Sequence, residues 1–293
     1  MLDIEKLNEI KRTAIIALFS DDDLMDSLVL KGGNALDIVY GIAQRASLDL
    51  DFSIDKEFDK AELSQVDGKI RKVLRETFKA RGHEVFDVQF IEVPEHPNAA
   101  SPEFWGGYLI QFKIIETAKF ESLRLKPHAL RVNALEVGPD HKRVFKISIS
   151  KLEYCAPKRE IDLDDYTIYV YSPEMIVFEK LRAICQQMPG YALNTTKTAR
   201  ARDFFDIYTV MEHFEIDFTA PHNVELLRLM FEAKQVPVSL IQKIEANREY
   251  HRPDFTSVEA TAKPGAKLKP FDFYFDFDYV VDKCKSLETL WEI

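Results

Sequence analysis

The sequence contains little cysteine, and its cysteines are not spaced for a disulfide framework or a metal site. The 293 residues include three cysteines, Cys155, Cys185 and Cys284, which are far apart and form no CxxC pair. An odd number of scattered thiols excludes a disulfide framework and indicates a reducing compartment. The seven histidines show no HxxxH or comparable spacing, so the sequence also predicts no histidine metal site.

Long apolar runs and an excess of positive charge are missing as well. No stretch approaches the roughly 20 apolar residues of a membrane-spanning helix, and MLDIEKLNEIKRTAIIALFS lacks the continuous apolar region of a signal peptide. The expected location is therefore the cytoplasm, with no membrane partner. The net charge of −10 excludes a protein that coats nucleic acid by general electrostatic attraction. An RNA partner would need a local basic patch or metal-bridged phosphates.

Apolar residues make up 46% of the chain, which is enough to fill the core of one large or two modest domains. The first part is predicted as a mixed sheet with helices, and the chain becomes mainly helical near residue 171. Helices are predicted over residues 2–20, 35–43 and 58–78, with Asn34 as a cap and an acidic loop over residues 21–23. Strands are predicted over residues 28–31, 48–54, 84–93, 108–116, 144–150 and 166–171.

The C-terminal part is predicted to form helices over residues 173–188, 201–213, 224–233 and 238–249. Residues 252–270 are rich in Pro, Gly, Thr, Ala and Lys and are predicted as a loop, as is the segment 96–104. The FDFYFDFDY segment alternates like a strand but leads into a helical pattern, so its structure stays open.

The most informative stretch is residues 28–52, LVLKGGNALDIVYGIAQRASLDLDF. An apolar strand leads into Gly32 and Gly33, a helix follows, and a serine then precedes Asp49 and Asp51. The glycines let the backbone approach a phosphate closely and present N–H groups at a helix start, where anions are favoured. On a strand, the two aspartates project from one face and can hold a divalent cation together. This order of parts is suited to nucleotidyl transfer.

Four motifs occur in this order: KGGNAL, RASLDLDFSI, SPEMIVFEKLRAI and RARDFFDIY. Together they resemble the AbiEii family of nucleotidyltransferase-like toxins, which belong to abortive-infection and toxin–antitoxin systems. The resemblance extends from about Asp3 to about Glu212. It implies a nucleotidyltransferase-like α/β domain over residues 1–171, a helical C-terminal domain over residues 172–293, and an active cleft between them.

The resemblance also implies the reaction. A member of the family is expected to transfer a nucleoside monophosphate from an NTP to a hydroxyl group and to release pyrophosphate. The implied acceptor is RNA, in particular the 3′ end of tRNA, and the implied protein partner is a cognate antitoxin. Asp49 and Asp51 would hold Mg²⁺ or Mn²⁺.

Each part of the first motif also has a plainer interpretation. The two aspartates are compatible with a solvated strand face opposite core-facing leucines, and the glycines with an ordinary tight turn. A phosphate cradle is itself such a turn, to which Asn34 or Ser47 would add side-chain donors. The direction and the role of Lys31 stay open.

Lys180 shares a face of its predicted helix with two isoleucines four residues away, so its side chain is expected to point inward. The resemblance places Lys180 and Asp203 in the active site. There the lysine would contact the nucleotide phosphates, and Asp203 would orient it or act on the acceptor hydroxyl. A buried ion pair that joins two helices is the alternative. Arg202 and Asp206 are predicted to form an i, i+4 pair that supports a helix.

One position departs from the family pattern. Many relatives carry an aspartate in the segment that reads FKISISKLEY here, and its counterpart is Ser148. Glu153 is nearby but is expected past the end of the strand. A complete two-metal site is therefore not predicted, and a single-ion site or an inactive protein are both open.

Two clusters of basic residues are candidates for contact with an RNA acceptor, although such runs are also typical of solvated surfaces. They are Lys126, His128, Arg131, Lys142, Arg143, Lys146 and Lys151, and then Lys197, Arg200 and Arg202. Two other functions stay open: transfer to a small-molecule or protein hydroxyl, and a catalytically silent nucleotide-binding or interaction module.

Overall fold

The structure is a computed structural model that describes residues 4–47, 49–95, 102–138, 141–194, 196–266 and 273–288. Its contacts divide the chain into two compact units. The first comprises Met1–Asn34, Leu48–Ala99 and Gly106–Val170, and the second comprises Ala35–Ser47, Ala100–Trp105 and Tyr171–Ile293. Each unit is therefore assembled from separate pieces of the chain.

The first unit is built on a mixed β-sheet, as expected for an α/β protein. Over the described residues its strands are β1 (Val29–Lys31), β2 (Leu50–Ser53), β3 (His83–Val93), β4 (Gly107–Glu116), β5 (Phe145–Ser150), β6 (Arg159–Leu163) and β7 (Tyr166–Val170). They lie in the order β3-β4-β5-β2-β1-β7-β6. The β2–β5 and β1–β7 pairs are parallel, and the other neighbouring strands are antiparallel.

Most predicted strands are confirmed to within one residue at each end. The exception among them is the strand predicted over residues 48–54, because β2 is shorter and Leu48 lies outside the described residues. Strand β6 was not predicted. Its sequence, REIDL, is mostly charged, and the strand lies at an edge of the sheet. The sequence therefore lacks the run of apolar residues from which a strand is predicted.

Six helices accompany the sheet in the described part of the first unit: α1 (Ile4–Phe19), α2 (Asp22–Ser27), α3 (Gly32–Asn34), α4 (Lys60–Ala80), α5 (Thr117–Leu123) and α6 (Pro127–Asn133). The predicted α4 is confirmed, with a capping box at its start and Gly82 at φ +76° just after its end. The loop predicted over residues 21–23 is wrong, because the Asp21 side chain accepts a hydrogen bond from the Leu24 N–H and caps α2. Helices α5 and α6 were missed because seven residues are too few for a clear period.

Helices α1 and α4 cover one face of the sheet. The ring of Phe19 lies 6.1 Å from that of Phe52 on β2, and the ring of Phe78 lies 5.7 Å from that of Phe112 on β4. All four residues are almost fully buried. Since side chains alternate along a strand, the residues next to Phe52 and Phe112 point to the opposite face of the sheet.

The helix predicted over residues 35–43 is wrong in both position and type. The chain enters α3 directly at Gly32 and continues as a π-helix over Ala35–Val39. The wider turn is visible in the hydrogen bond from the Tyr40 N–H to the Ala35 carbonyl at 3.0 Å. Asn34 lies inside this helical segment and is not its N-cap. π-Helical turns are rare and are frequent at functional sites.

The described part of the second unit is mainly helical. It contains α7 (Pro173–Cys185), α8 (Ala201–His213), α9 (Pro221–Glu232), α10 (Arg248–His251), α11 (Phe255–Glu259) and α12 (Phe273–Lys285). The predicted start of α7 and both bounds of α8 are confirmed. The Ser172 hydroxyl caps α7 by accepting a hydrogen bond from the Met175 N–H.

Two predictions for the C-terminal part are wrong, and one open question is settled. Instead of one helix over residues 238–249, the chain forms 3₁₀ turns at Val238–Lys243 and Glu245–Asn247 and then α10. Buried side chains such as Leu240 and Ile241 hold these short turns, so packing overrides the local pattern. The loop predicted over residues 252–270 contains α11, and the alternating FDFYFDFDY segment contributes to α12. Residues 267–272, which belong to these last two predictions, lie outside the described residues. The same holds for residues 96–101 of the loop predicted over residues 96–104.

None of the described helices is both long enough and apolar enough to cross a membrane.

Candidate active site

The two predicted metal ligands lie at the start of β2. Asp49 is exposed just before the strand, and Asp51 is half-buried within it. Asp51 is in register with Lys31 on β1 and with Ser148 on β5. Residues paired in this way project from the same face of a sheet, here the face opposite α1 and α4. Ser148, the counterpart of the missing carboxylate, therefore lies directly beside Asp51.

A turn of backbone lies against the Asp51 carboxylate. Gly32 has φ +71°, and a Cβ atom built on it would be 3.2 Å from Oδ2 of Asp51. Any other residue would be strained in this backbone conformation and would crowd the carboxylate. The glycine turn and the acidic strand, which the sequence predicts to act together, are thus adjacent in the first unit.

Asn34 connects the glycine turn to the acidic segment. Its side chain is fully buried, and its amide donates a hydrogen bond to the backbone carbonyl of Asp49. The amide that was predicted to contact a nucleotide is therefore engaged inside the protein, where it fixes the backbone of Asp49. Ser47 is half-buried, and its predicted role as a donor to the nucleotide stays a prediction.

Lys31 points to the same face as Asp51, which settles its direction. Its Nζ lies 3.1 Å from Oγ of Ser150 and 3.7 Å from Oε1 of Glu153, and this ion pair is buried. Glu153 lies past the end of β5, as expected, and its carboxylate is paired with the lysine. Within the described ranges, no group of three His, Cys, Asp or Glu residues is placed to hold a metal ion.

The second unit contains a buried cluster of two acids and two cations. Nζ of Lys180 on α7 donates to Oδ1 of Asp203 at 3.1 Å and to Oδ2 of Asp206 at 2.7 Å, both on α8. Nε of Arg45 donates to Oδ1 of Asp206 at 2.8 Å. Burial lowers the pKa of Lys180, but the carboxylates of Asp206 and Asp203 outweigh burial and raise it. Lys180 points inward, as predicted, and is held as an ammonium ion.

Asp206 has a different role from the one predicted. It is 3% exposed and lies between Lys180 and Arg45, whereas Arg202 is exposed and donates to a serine, so the predicted i, i+4 pair is wrong. Its spacing of three residues from Asp203 is the signal that places both on the inner face of α8. Arg45 stands within the RASLDLDF motif, but no local pattern connects it with a residue 161 positions away.

The family model described as the nucleotidyl transferase AbiEii toxin of type IV toxin–antitoxin systems matches residues 14–277. The chain belongs to the AbiEii family. The matched range includes the glycine turn, the acids of β2 and the Lys180 cluster. The protein is therefore a nucleotidyltransferase of a toxin system, and membership of the family implies an NTP substrate and a cognate antitoxin.

Solved structures similar to this AbiEii-family chain include two bacterial proteins. JHP933 from Helicobacter pylori is 17% identical with a TM-score of 0.48, and the match covers 98% of this chain and 91% of that protein. The nucleotidyltransferase toxin MenT4 from Mycobacterium tuberculosis is 15% identical with a TM-score of 0.47, and the match covers 96% of this chain and 82% of that protein. No curated protein matches the chain.

In this AbiEii-family chain, residues distant in sequence hold the start of α8. Nδ1 of His251 accepts a hydrogen bond from the Arg200 N–H, and Oδ2 of Asp254 accepts one from the Ala201 N–H, both at 3.0 Å. His251 is fully buried, and its ring lies 5.3 Å from that of Phe204. These contacts span 51 and 53 residues, so no sequence pattern could predict them. They fix the helix that carries the two acids of the cluster.

The buried imidazole is expected to make stability depend on pH. Burial lowers the pKa of His251 from its ordinary 6.5 to about 4. Below pH 6.5 the unfolded chain takes up this proton before the folded chain does, so the free energy of unfolding falls by about 2 kcal/mol by pH 5. We expect His251→Gln to be less stable than wild type at pH 7.5 and to lose most of that difference at pH 5 in urea unfolding. A difference that is equal at both pH values would contradict this.

Most basic residues that were candidates for RNA contact are engaged within the protein. Three residues of the first cluster form ion pairs with carboxylates: Arg131, Arg143 and Lys151. In the second cluster, Nζ of Lys197 donates to three backbone carbonyls at 2.8 to 3.1 Å. Lys142 and Lys146 are exposed, and their ammonium groups have no partner in the described part of the chain.

Proposed function

We propose that the protein transfers a nucleoside monophosphate from an NTP to a ribose hydroxyl at the 3′ end of RNA, in particular tRNA, and releases pyrophosphate. In this reaction a bond forms between the acceptor oxygen and the α-phosphorus, the bond from that phosphorus to the bridging oxygen breaks, and the hydroxyl proton passes to solvent. The observation that carries the proposal is the glycine turn against Asp51, where a Cβ on Gly32 would lie 3.2 Å from the carboxylate. NTPs and tRNA are cytoplasmic molecules, so the proposal places the protein there.

The donor atoms at this position fit a divalent cation that is bound together with substrate. Asp49 and Asp51 supply two carboxylates, and Ser148 supplies a hydroxyl beside Asp51. Such oxygen donors suit Mg²⁺ or Mn²⁺, and Mg²⁺ is commonly bound by one or two carboxylates together with substrate phosphates. When bound, the cation would neutralise negative charge that develops on the phosphates during transfer. With Ser148 in place of a third carboxylate, we propose a single protein-bound cation.

The other groups bind and orient the nucleotide in this proposal. Gly32 and Gly33 bring backbone N–H groups to the phosphates. We propose Lys180 as a further site residue that acts as a cation, and Asp203, which accepts a hydrogen bond from its Nζ at 3.1 Å, orients it. Asp206 keeps the lysine protonated by raising its pKa.

The test is to incubate the purified protein with each α-³²P-labelled NTP, Mg²⁺ and total tRNA, and to separate RNA, protein and small molecules. We expect label on RNA with one preferred NTP, no label after chelation of the metal, and recovery with Mg²⁺ or Mn²⁺. Label on protein or on a small molecule would show that the acceptor is wrong. Binding of NTP without any transfer would favour a silent nucleotide-binding module, the alternative to which Ser148 points.

A further inference from the structure

A cavity of about 750 Å³ lies in the first unit, on the polar face of β4 and β5. The lining residues that matter here are Asp49, Leu109, Lys142, Lys146, Ser148 and Ser150. Small-ligand sites typically measure about 300 to 1,000 Å³. The cavity therefore has room for a terminal nucleotide but not for a duplex, and it borders one of the two predicted metal ligands.

The cavity contains cations that no described residue neutralises. Ile147 on β5 is in register with Leu50 on β2, and these two strands are parallel. Lys146 comes directly before Ile147, and Asp49 comes directly before Leu50. Lys146 on β5 and Asp49 directly before β2 thus occupy matching positions. Lys142 lies on the segment that leads into β5, and both lysines are exposed. Two ammonium groups in one cavity favour an anionic ligand such as a phosphate group.

The order of the strands places the cavity on a defined side of the acids. Strand β1, which leads into the Gly32 turn, lies on one side of β2, and β5 lies on the other. In phosphoryl transfer the attacking and leaving oxygens are roughly in line with the phosphorus between them. If the triphosphate binds at the glycine turn, as the proposed function requires, pyrophosphate leaves towards β1 and the hydroxyl attacks from the β5 side.

We propose that this cavity binds the acceptor, and that the acceptor is a single-stranded RNA 3′ end. Lys142 and Lys146 contact the phosphate next to the terminal ribose, and the ribose hydroxyl lies towards Asp49 and Ser148. The inference rests on the proposed function for the direction of attack. It adds the acceptor site and the two residues that determine affinity for the acceptor.

The experiment compares Lys142→Glu and Lys146→Glu with Lys72→Glu, an exposed lysine on α4 at the opposite face of the sheet. The first readout is the Kd for a fluorescein-labelled single-stranded RNA with a free 3′ hydroxyl, which needs no catalysis. The second is the KM for tRNA and for NTP in the transfer assay. Each cavity variant is expected to raise the RNA Kd and the tRNA KM at least tenfold with an unchanged NTP KM. Lys72→Glu is expected to stay within twofold of wild type.

Cavity variants that bind RNA and use tRNA as well as Lys72→Glu does would overturn the acceptor site. A blunt RNA duplex that binds as tightly as the single strand would do the same. If wild type binds the single strand in a lysine-dependent manner but transfers no label to it, the cavity proposal stands and the proposed reaction is the part that fails. Transfer to a small hydroxyl compound without RNA binding would overturn both.

Discussion

Replacing Asp49 by alanine is expected to reduce transfer of label from NTP by roughly a thousandfold, because it removes one of the two carboxylates proposed to hold the cation. Asp49 is exposed just before the start of β2, so the fold should not change. The measurement is the initial rate of transfer at saturating NTP, with circular dichroism to confirm that the variant is folded. The loss should appear in kcat and should not be rescued by a higher NTP concentration.

The matched control is Asp55→Ala, which removes an exposed aspartate a few residues further along the same segment. This variant should transfer label at the wild-type rate. Activity of Asp49→Ala near that of the control would remove the metal assignment, because it would show that the Asp49 carboxylate is not needed for transfer.

Replacing Asp206 by asparagine is expected to destabilise the protein by about 3–5 kcal/mol, which is the usual cost of breaking a buried ion pair from one side. Lys180 and Arg45 would both lose a carboxylate partner while remaining buried. For a protein of this size the melting temperature should fall by roughly 10 °C. Differential scanning calorimetry at neutral pH would measure both the shift and the enthalpy.

Asp203→Asn is the comparison variant, since it leaves the Arg45–Asp206 pair intact and should cost less than half as much. The difference between wild type and Asp206→Asn should also depend on pH in one direction. Burial raises the pKa of Asp206, but Arg45 and Lys180 outweigh burial and lower it below 3.8. The extra stability is therefore present above pH 3.8 and disappears as the pH falls below it. Equal melting temperatures for both variants would mean that Asp206 is not the centre of the cluster.

Much of the sheet could be predicted because long strands carry their own pattern. Strands β3 and β4 alternate over ten or more residues, and their bounds were predicted to within one residue. The short elements could not be predicted in this way. Helices α5 and α6 and strand β6 have five to seven residues each, and their neighbours in the fold stabilise them more than their own periodicity does.

In the candidate site, too, features that depend on neighbouring residues could be predicted, whereas contacts between residues distant in sequence could not. The glycine turn, the acid pair and the inward direction of Lys180 follow from spacings of a few residues. The residues that hold α8, the helix whose acids pair with Lys180, do not follow from such spacings, because Arg45, His251 and Asp254 reach α8 across 51 to 161 residues of chain. The π-helix after Gly32 was also missed, since nothing in the sequence distinguishes it from an ordinary helical turn.

The interleaved make-up of the second unit has a consequence for biosynthesis. Arg45, which neutralises Asp206, and Phe104, whose carbonyl accepts a hydrogen bond from Lys234 at 2.8 Å, leave the ribosome long before the helices they stabilise. A fragment that begins at residue 172 lacks both groups, so we expect it to fold with incomplete packing. Nascent chains of this protein can complete the unit only after α12 has been synthesised, because the ring of Phe277 on α12 packs 4.7 Å from that of Phe204 on α8, the helix that carries the two acids of the cluster.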